Sequence, residues 1–297
     1  MELTDGPAPP PELAIRTFAV AFARRAPGEA ADPEPLAVSA YRAQMDELSA
    51  LLLDLAPGEW DAPTLAGFTV AELVGHLLAI EGYVAAILGV RPPAGLRPFE
   101  VPAGLEDDHR ALSLPTIEAG AGAPPEQAVA DWWAWVEADL AHLATLDDAD
   151  LDERVRFHGL DLSMRSMLGA RVFEVWTHAD DIRRATGRPL VAPAPRHLAF
   201  MSSLAVGALP MGLLLAGIDD PGRTVRIVLT GAGGGEFVQS LVLNGVPGPP
   251  DATITADVVD FCRLAAQRLT PAELRHESEG DARAAADVLV GAAVFAA

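Results

Sequence analysis

A chain of 297 residues is longer than one average domain requires and can bury an apolar core in each of two. Apolar residues make up 50% and charged residues 21%, as in a folded protein, and a net charge of -21 sets the surface against phosphate backbones and anionic lipids, excluding nucleic acid and membranes as expected partners. The single cysteine, Cys262, permits no intramolecular disulfide, so the composition fits a reducing compartment, the cytoplasm.

Residues 1–35 are rich in proline around one short apolar run, residues 13–23, and read as an extended arm with at most one amphipathic helix. Glu2, Asp5 and Glu12 precede that run where a secretory signal carries positive charge, and Arg16 interrupts it, so it does not read as a signal. From Leu36 onward, Leu36, Ala40, Met45, Leu48, Leu52 and Leu55 recur every three or four residues up to Pro57 and Gly58, which predicts a first helix. Thr69 followed by Glu72 is a capping box for a second helix. Its buried stripe is Val70, Leu73, Leu77, Ile80, Val84 and Ile87, and it ends at Gly89. Residues 91–125 form a long loop rich in proline and glycine, either a lid over a site or an insertion.

A third helix is expected over residues 126–146, with Trp132, Trp133 and Trp135 near its start. Successive helical residues lie about 100° apart, so two of these rings pack inward and one shields an interface. A fourth helix covers residues 162–186 and stops at Gly187 and Pro189. Residues 198–218 lack any charge and are long enough to cross a bilayer. Ser202, Ser203, Gly207, Pro210, Gly212 and Gly217 dilute their hydrophobicity, however, and the segment reads as a buried helix broken near Pro210. Strands are expected at residues 224–230, 237–243 and 252–255, with a turn at 231–235, and helices at 257–268 and 281–295. The glycine run at 231–235 joins strands and opens no helix, so it is not a phosphate cradle. The expected fold is therefore mainly α with a smaller α/β domain: a proline-rich arm over 1–35, a four-helix bundle over 36–192, and a small α/β domain over 193–297.

Glu174 and His178 stand four residues apart on the fourth helix and share a face with Leu168, Val175 and Ile182. His76 lies among Leu73, Leu77 and Ile80 on the inward stripe of the second helix. Polar groups facing a bundle interior need compensation for lost hydration. A shared metal ion supplies it, and so does a salt bridge or a hydrogen bond to each histidine. Two histidines and one carboxylate suit zinc and leave one coordination position open.

Two groups of residues carry a resemblance. Trp60, Pro63, Thr64, Phe68, Thr69, Val70, Leu73, Val74 and His76 form the first. Arg171, Glu174, Trp176, His178, Asp181 and Ile182, followed by Gly187 and Pro189, form the second. Both resemble the mycothiol-dependent maleylpyruvate isomerase family, whose N-terminal domain is a DinB-like four-helix bundle. Residues 250–269 are similar to the small sterol-carrier-like domain that follows the bundle, so the likeness spans residues 36–297. Leu65, Ala66, Gly67 and Phe68 stand where the family commonly has a Cys-Pro-Gly-Trp type of sequence, and the arm has no counterpart; neither departure falls on a ligand position.

The resemblance implies a divalent metal, zinc, on His76, Glu174 and His178, and mycothiol as cosubstrate. It implies an isomerase or thiol S-transferase in which the metal activates the thiol for addition to an electrophile. With neutral histidines, the donor set and a divalent ion carry one positive charge in total, which favours one thiolate. The alternatives are a hydrolase that uses metal-bound water and a non-catalytic binding protein for a small ligand. Arg171, one turn from Glu174, would meet an anionic substrate or else pair with a carboxylate. His158 would shuttle a proton or lie solvated in a loop, and Asp181 would support a ligand from behind or serve as a surface or capping carboxylate.

Overall fold

The computed structural model describes residues 34–65, 67–100, 109–220 and 222–293, so the arm and its apolar run lie outside the described residues except for Glu34 and Pro35. Four helices pack as the expected bundle: α1 (Leu36–Leu53), α2 (Val70–Leu88), α4 (Pro125–Leu143) and α5 (Met164–Ala185). The ends of α2 follow from its sequence. The Thr69 hydroxyl accepts from the Glu72 amide, the Glu72 carboxylate accepts from the Thr69 amide, and Gly89 closes the helix with φ +70°. Among the described residues α2 is the one unbroken helix long and apolar enough to cross a membrane, and 72% of its apolar window is buried inside the protein. It is the bundle's central core helix, and His76 stands at its middle.

Trp132 is wholly buried and Trp135 nearly so, while Trp133 is half-buried against the core, the division that helical geometry required. The loop expected over 91–125 instead contains a helix, α3 (His109–Gly120), packed on α2. It comes close because α2 has Gly75 there: a Cβ on that residue would stand 3.2 Å from Ile117 Cγ1 and 3.4 Å from the Ile117 backbone.

A second difference precedes α5. Strands β1 (Arg154–Phe157) and β2 (Leu160–Ser163) pair antiparallel around a two-residue turn, His158 at φ +46° and Gly159 at φ +73°. Ser163 then caps α5 by accepting from the Ser166 amide.

The remaining residues begin with α6 (Pro195–Gly207) and α7 (Leu209–Leu215), bent by 47° with Pro210 in the first turn of α7. The uncharged stretch is thus two short helices, as the proline required. Strands β3 (Thr224–Thr230), β4 (Gly235–Ser240), β5 (Ala252–Asp257) and β6 (His276–Gly280) form one sheet in the order β4-β3-β5-β6. The β3–β5 pair is parallel, and both outer pairs are antiparallel. Helices α8 (Val258–Ala265) and α9 (Ala282–Gly291) pack against the sheet. The expected helix over 281–295 ends at Gly291, and its last residues lie outside those described. Bundle and sheet belong to one compact unit, Glu34–Ala297.

Because α2 carries a site residue two turns from its cap, cap strength is testable. Thr69→Ala removes the acceptor for the Glu72 amide and should cost about 1 kcal/mol of unfolding free energy in urea titration, with an unchanged denaturant slope.

Candidate metal centre

Helices α2 and α5 bring together the three residues that spacing and resemblance had marked. His76, Glu174 and His178 are all buried, and one donor atom from each lies within 4.8 Å of the others. The imidazoles meet edge to face, with ring centres 5.3 Å apart. Among the described residues no other group of histidine, cysteine or acidic side chains has this arrangement, and His158 is not part of it.

The hydrogen bonds behind the two rings favour a proton on Nδ1 of each. His76 Nδ1 is 3.0 Å from the Ser113 hydroxyl, which itself donates to the Arg110 carbonyl at 2.7 Å. With its proton so committed, the hydroxyl accepts from Nδ1–H and leaves Nε2 with a lone pair. That Nε2 lies 3.1 Å from Glu174 Oε1, an acceptor facing an acceptor, which is unfavourable unless a cation or a proton stands with them. His178 repeats the pattern: Nδ1 donates to Asp181 Oδ2 at 3.3 Å, and the buried Nε2 has no hydrogen-bond partner among the described residues. An orphaned lone pair in a buried site is costly, and a metal ion is the partner that suits it. The donor set therefore fits a divalent cation.

The carboxylates are arranged just as closely. Arg171, with no exposed surface, donates one arm to Glu174 Oε2 and the other to Glu81 Oε2 at 2.7 Å, and the Tyr41 hydroxyl donates to Glu81 Oε1. Burial works against the Arg171 charge, and Glu174 and Glu81 together outweigh it and hold the guanidinium above its ordinary pKa. Arg171 thus occupies one oxygen of Glu174 and leaves the other toward the histidines. Burial pushes the Glu81 carboxyl up, opposed by Arg171. Asp139 on α4 is pushed up to about 9, first by burial and then by the charge of Glu81, so it stays neutral at physiological pH. Asp181 goes the other way. Burial alone would raise it, but hydrogen bonds from His178 and Arg268 hold it below the usual carboxylate value.

Phe68 lies over His76, with ring centres 5.9 Å apart and nearly parallel planes, and the Arg110 guanidinium sits 4.1 Å from the Phe68 ring centre. The residue that follows the loop departing from the family pattern therefore touches a candidate ligand. His158 lies in the β1–β2 turn, its ring against Phe157 and Tyr83 and its amide donating to the Tyr83 hydroxyl at 3.3 Å. Sequence reasoning passed over Ser113, Tyr41, Glu81 and Asp139. For Glu81 a signal existed, an acid next to Ile80 in an apolar helix. Ser113 had none, since nothing marked its segment as helical.

Residues 41–183 match the family model described as the mycothiol maleylpyruvate isomerase N-terminal domain. The match covers 143 of the 297 residues. Two relatives from strains of Mycobacterium tuberculosis, both described as uncharacterized proteins, are each 29% identical over 246 residues, covering 80% of this chain and 87% of the relative. The crystal structure of the mycothiol-dependent maleylpyruvate isomerase is 15% identical with a TM-score of 0.56, and that of a histidine-to-alanine mutant is 14% identical with a TM-score of 0.55. Each covers 82% of this chain and 93% of its own. At that identity the structures show a shared fold.

The buried neutral acid yields a pH dependence. Asp139 has its pKa raised from 3.8 to about 9 on folding, so the folded chain retains a proton that the unfolded chain releases, and this site's contribution to stability falls as pH rises across that interval. Asp139→Asn reproduces the neutral form without the proton cost. The variant should be more stable than wild type at about pH 7.5, the gain vanishing near pH 4, in urea unfolding across that range.

Proposed function

We propose that this chain is a metal-dependent enzyme that uses mycothiol, acting as an isomerase or thiol S-transferase on an electrophilic substrate, with zinc held by His76, Glu174 and His178. The observation that carries this reading is the pair of buried imidazoles whose Nδ1 protons are committed to Ser113 and Asp181, leaving both Nε2 lone pairs beside one carboxylate oxygen. When bound there, a divalent ion supplies Lewis acidity, which raises the share of thiolate at neutral pH.

The chain's own residues do the rest by placement. Ser113 and Asp181 fix the imidazole tautomers, and Arg171 fixes Glu174 through Oε2. With both of its arms on Glu81 and Glu174, Arg171 acts in this reading on the ligand set and does not bind substrate. Phe68 covers one face of His76 and excludes water from it. Cys262, the chain's only thiol, is buried and its pKa is pushed up, so the protein supplies no thiolate of its own. The thiol comes from a small molecule.

Addition of a thiolate to one carbon of an activated double bond turns that bond into a single bond about which the adduct rotates. Elimination returns the thiol and the isomerised product, whereas release of the adduct makes the enzyme a transferase. A small-molecule thiol stays reduced in the cytoplasm, which is the proposed location. An anionic electrophile would meet a general surface of net charge -21, so the Arg110 cation beside Phe68 is the local feature that favours its approach.

Wild type purified without chelators should contain about one zinc per chain by elemental analysis, and His76→Ala, Glu174→Ala and His178→Ala should each lose most of it. Turnover of maleylpyruvate, or S-conjugation of an electrophile, should require added mycothiol. Turnover of an ester or amide without thiol would overturn the thiol assignment, and a wild type that neither contains nor takes up metal would overturn the centre itself.

A further inference from the structure

Asp181 does not face solvent behind His178. Its carboxylate is fully buried and is held from the far side by Arg268, a residue outside the bundle. Arg268 Nε donates to Asp181 Oδ1 at 2.8 Å and Nη2 donates to Oδ2 at 2.7 Å, a two-pronged bond that fixes the carboxylate plane, while Nη1 donates to the Ala266 carbonyl at 3.1 Å. The backbone arranges this: α8 ends, Gln267 takes a left-handed φ of +57°, and the Arg268 amide returns to the Arg263 carbonyl at 2.8 Å, turning the side chain toward α5. The oxygen that takes Nη2 of Arg268 is the one that takes Nδ1 of His178.

From this geometry we infer that Arg268 is a positioning residue for the metal centre: it orients Asp181, which holds His178 in the tautomer and ring orientation that presents Nε2. The inference rests on the reading of His76, Glu174 and His178 as ligands. An isolated carboxylate would hold a histidine through either oxygen and in several orientations. One clamped by a guanidinium offers a single direction.

A second bridge, from α8 itself to α5, serves as a control. Arg263 Nη2 donates to Asp180 Oδ2 at 3.3 Å, one residue before Asp181, and the Arg263 guanidinium lies 5.7 Å from the Trp176 ring centre, but it bonds no ligand and not Asp181. If Arg268 merely fastens α8 to the bundle, the two arginines are equivalent. If it sets His178, they are not.

The test compares wild type with Arg268→Ala, Arg268→Lys and Arg263→Ala by competition for zinc against a chromogenic chelator, with thermal melts of each metal-free protein and the ring-nitrogen NMR shifts of His178. Arg268→Ala should weaken zinc roughly 10- to 100-fold, and Arg268→Lys, which keeps the charge without the fork, should fall between it and wild type. Arg263→Ala should lie within about twofold of wild type. The metal-free wild type should show His178 protonated at Nδ1, and Arg268→Ala a mixture of tautomers. Unchanged zinc affinity and tautomer in Arg268→Ala, or an equal loss in Arg263→Ala, would overturn the inference. Should Arg268→Ala not fold, the lysine variant decides by the same two readouts. A wild type that binds no zinc but shows the Arg268-dependent tautomer keeps the orienting chain and removes the metal reading.

Discussion

The structure depends on one physical constraint: charge placed in an apolar interior must be answered on the spot. Arg171 and Glu81 have no exposure to water, and Glu174 has little. Removing one member of such a cluster leaves a buried charge unanswered and typically costs about 3–5 kcal/mol. Arg171 is therefore tied to two helices at once, bonding Glu81 on α2 and Glu174 on its own α5, while Tyr41 on α1 completes Glu81. Three bundle helices are registered by one guanidinium.

That registration gives the site its electrostatic character. Arg171 answers Glu174 through one arm and Glu81 through the other, and neutral Asp139 adds no charge. The second oxygen of Glu174 lies with the two imidazoles, a donor set that suits a cation. The same cluster that stabilises the bundle sets the charge of the centre, and neither role separates from the other.

Much of the bundle was legible because its signals are local. The capping box at Thr69 and Glu72, the stop at Gly89 and the pair Glu174 and His178 all lie within one or two helical turns. The tautomer-fixing partners are another matter. Ser113 rides on a helix that contains Pro115 and that no apolar period announces, and Arg268 reaches Asp181 only after a left-handed residue at Gln267. The β1–β2 hairpin escaped notice because its strands are four residues long and its turn is His158-Gly159, without the usual Asn or Asp. Strand β6 is exposed along its whole length and shows no alternation, so it reads as polar loop. Long-range contacts, by their nature, leave no period in a sequence.

Residue Ile117 resting on Gly75 has a consequence for how the interior communicates with its surroundings. Since α3 seats against α2 at that glycine and delivers the Ser113 hydroxyl one residue further along, any displacement of this short helix would also release the Nδ1 proton of His76 from its acceptor. The packing of one small residue against α3 and the proton position on the neighbouring imidazole are thus set by the same short helix.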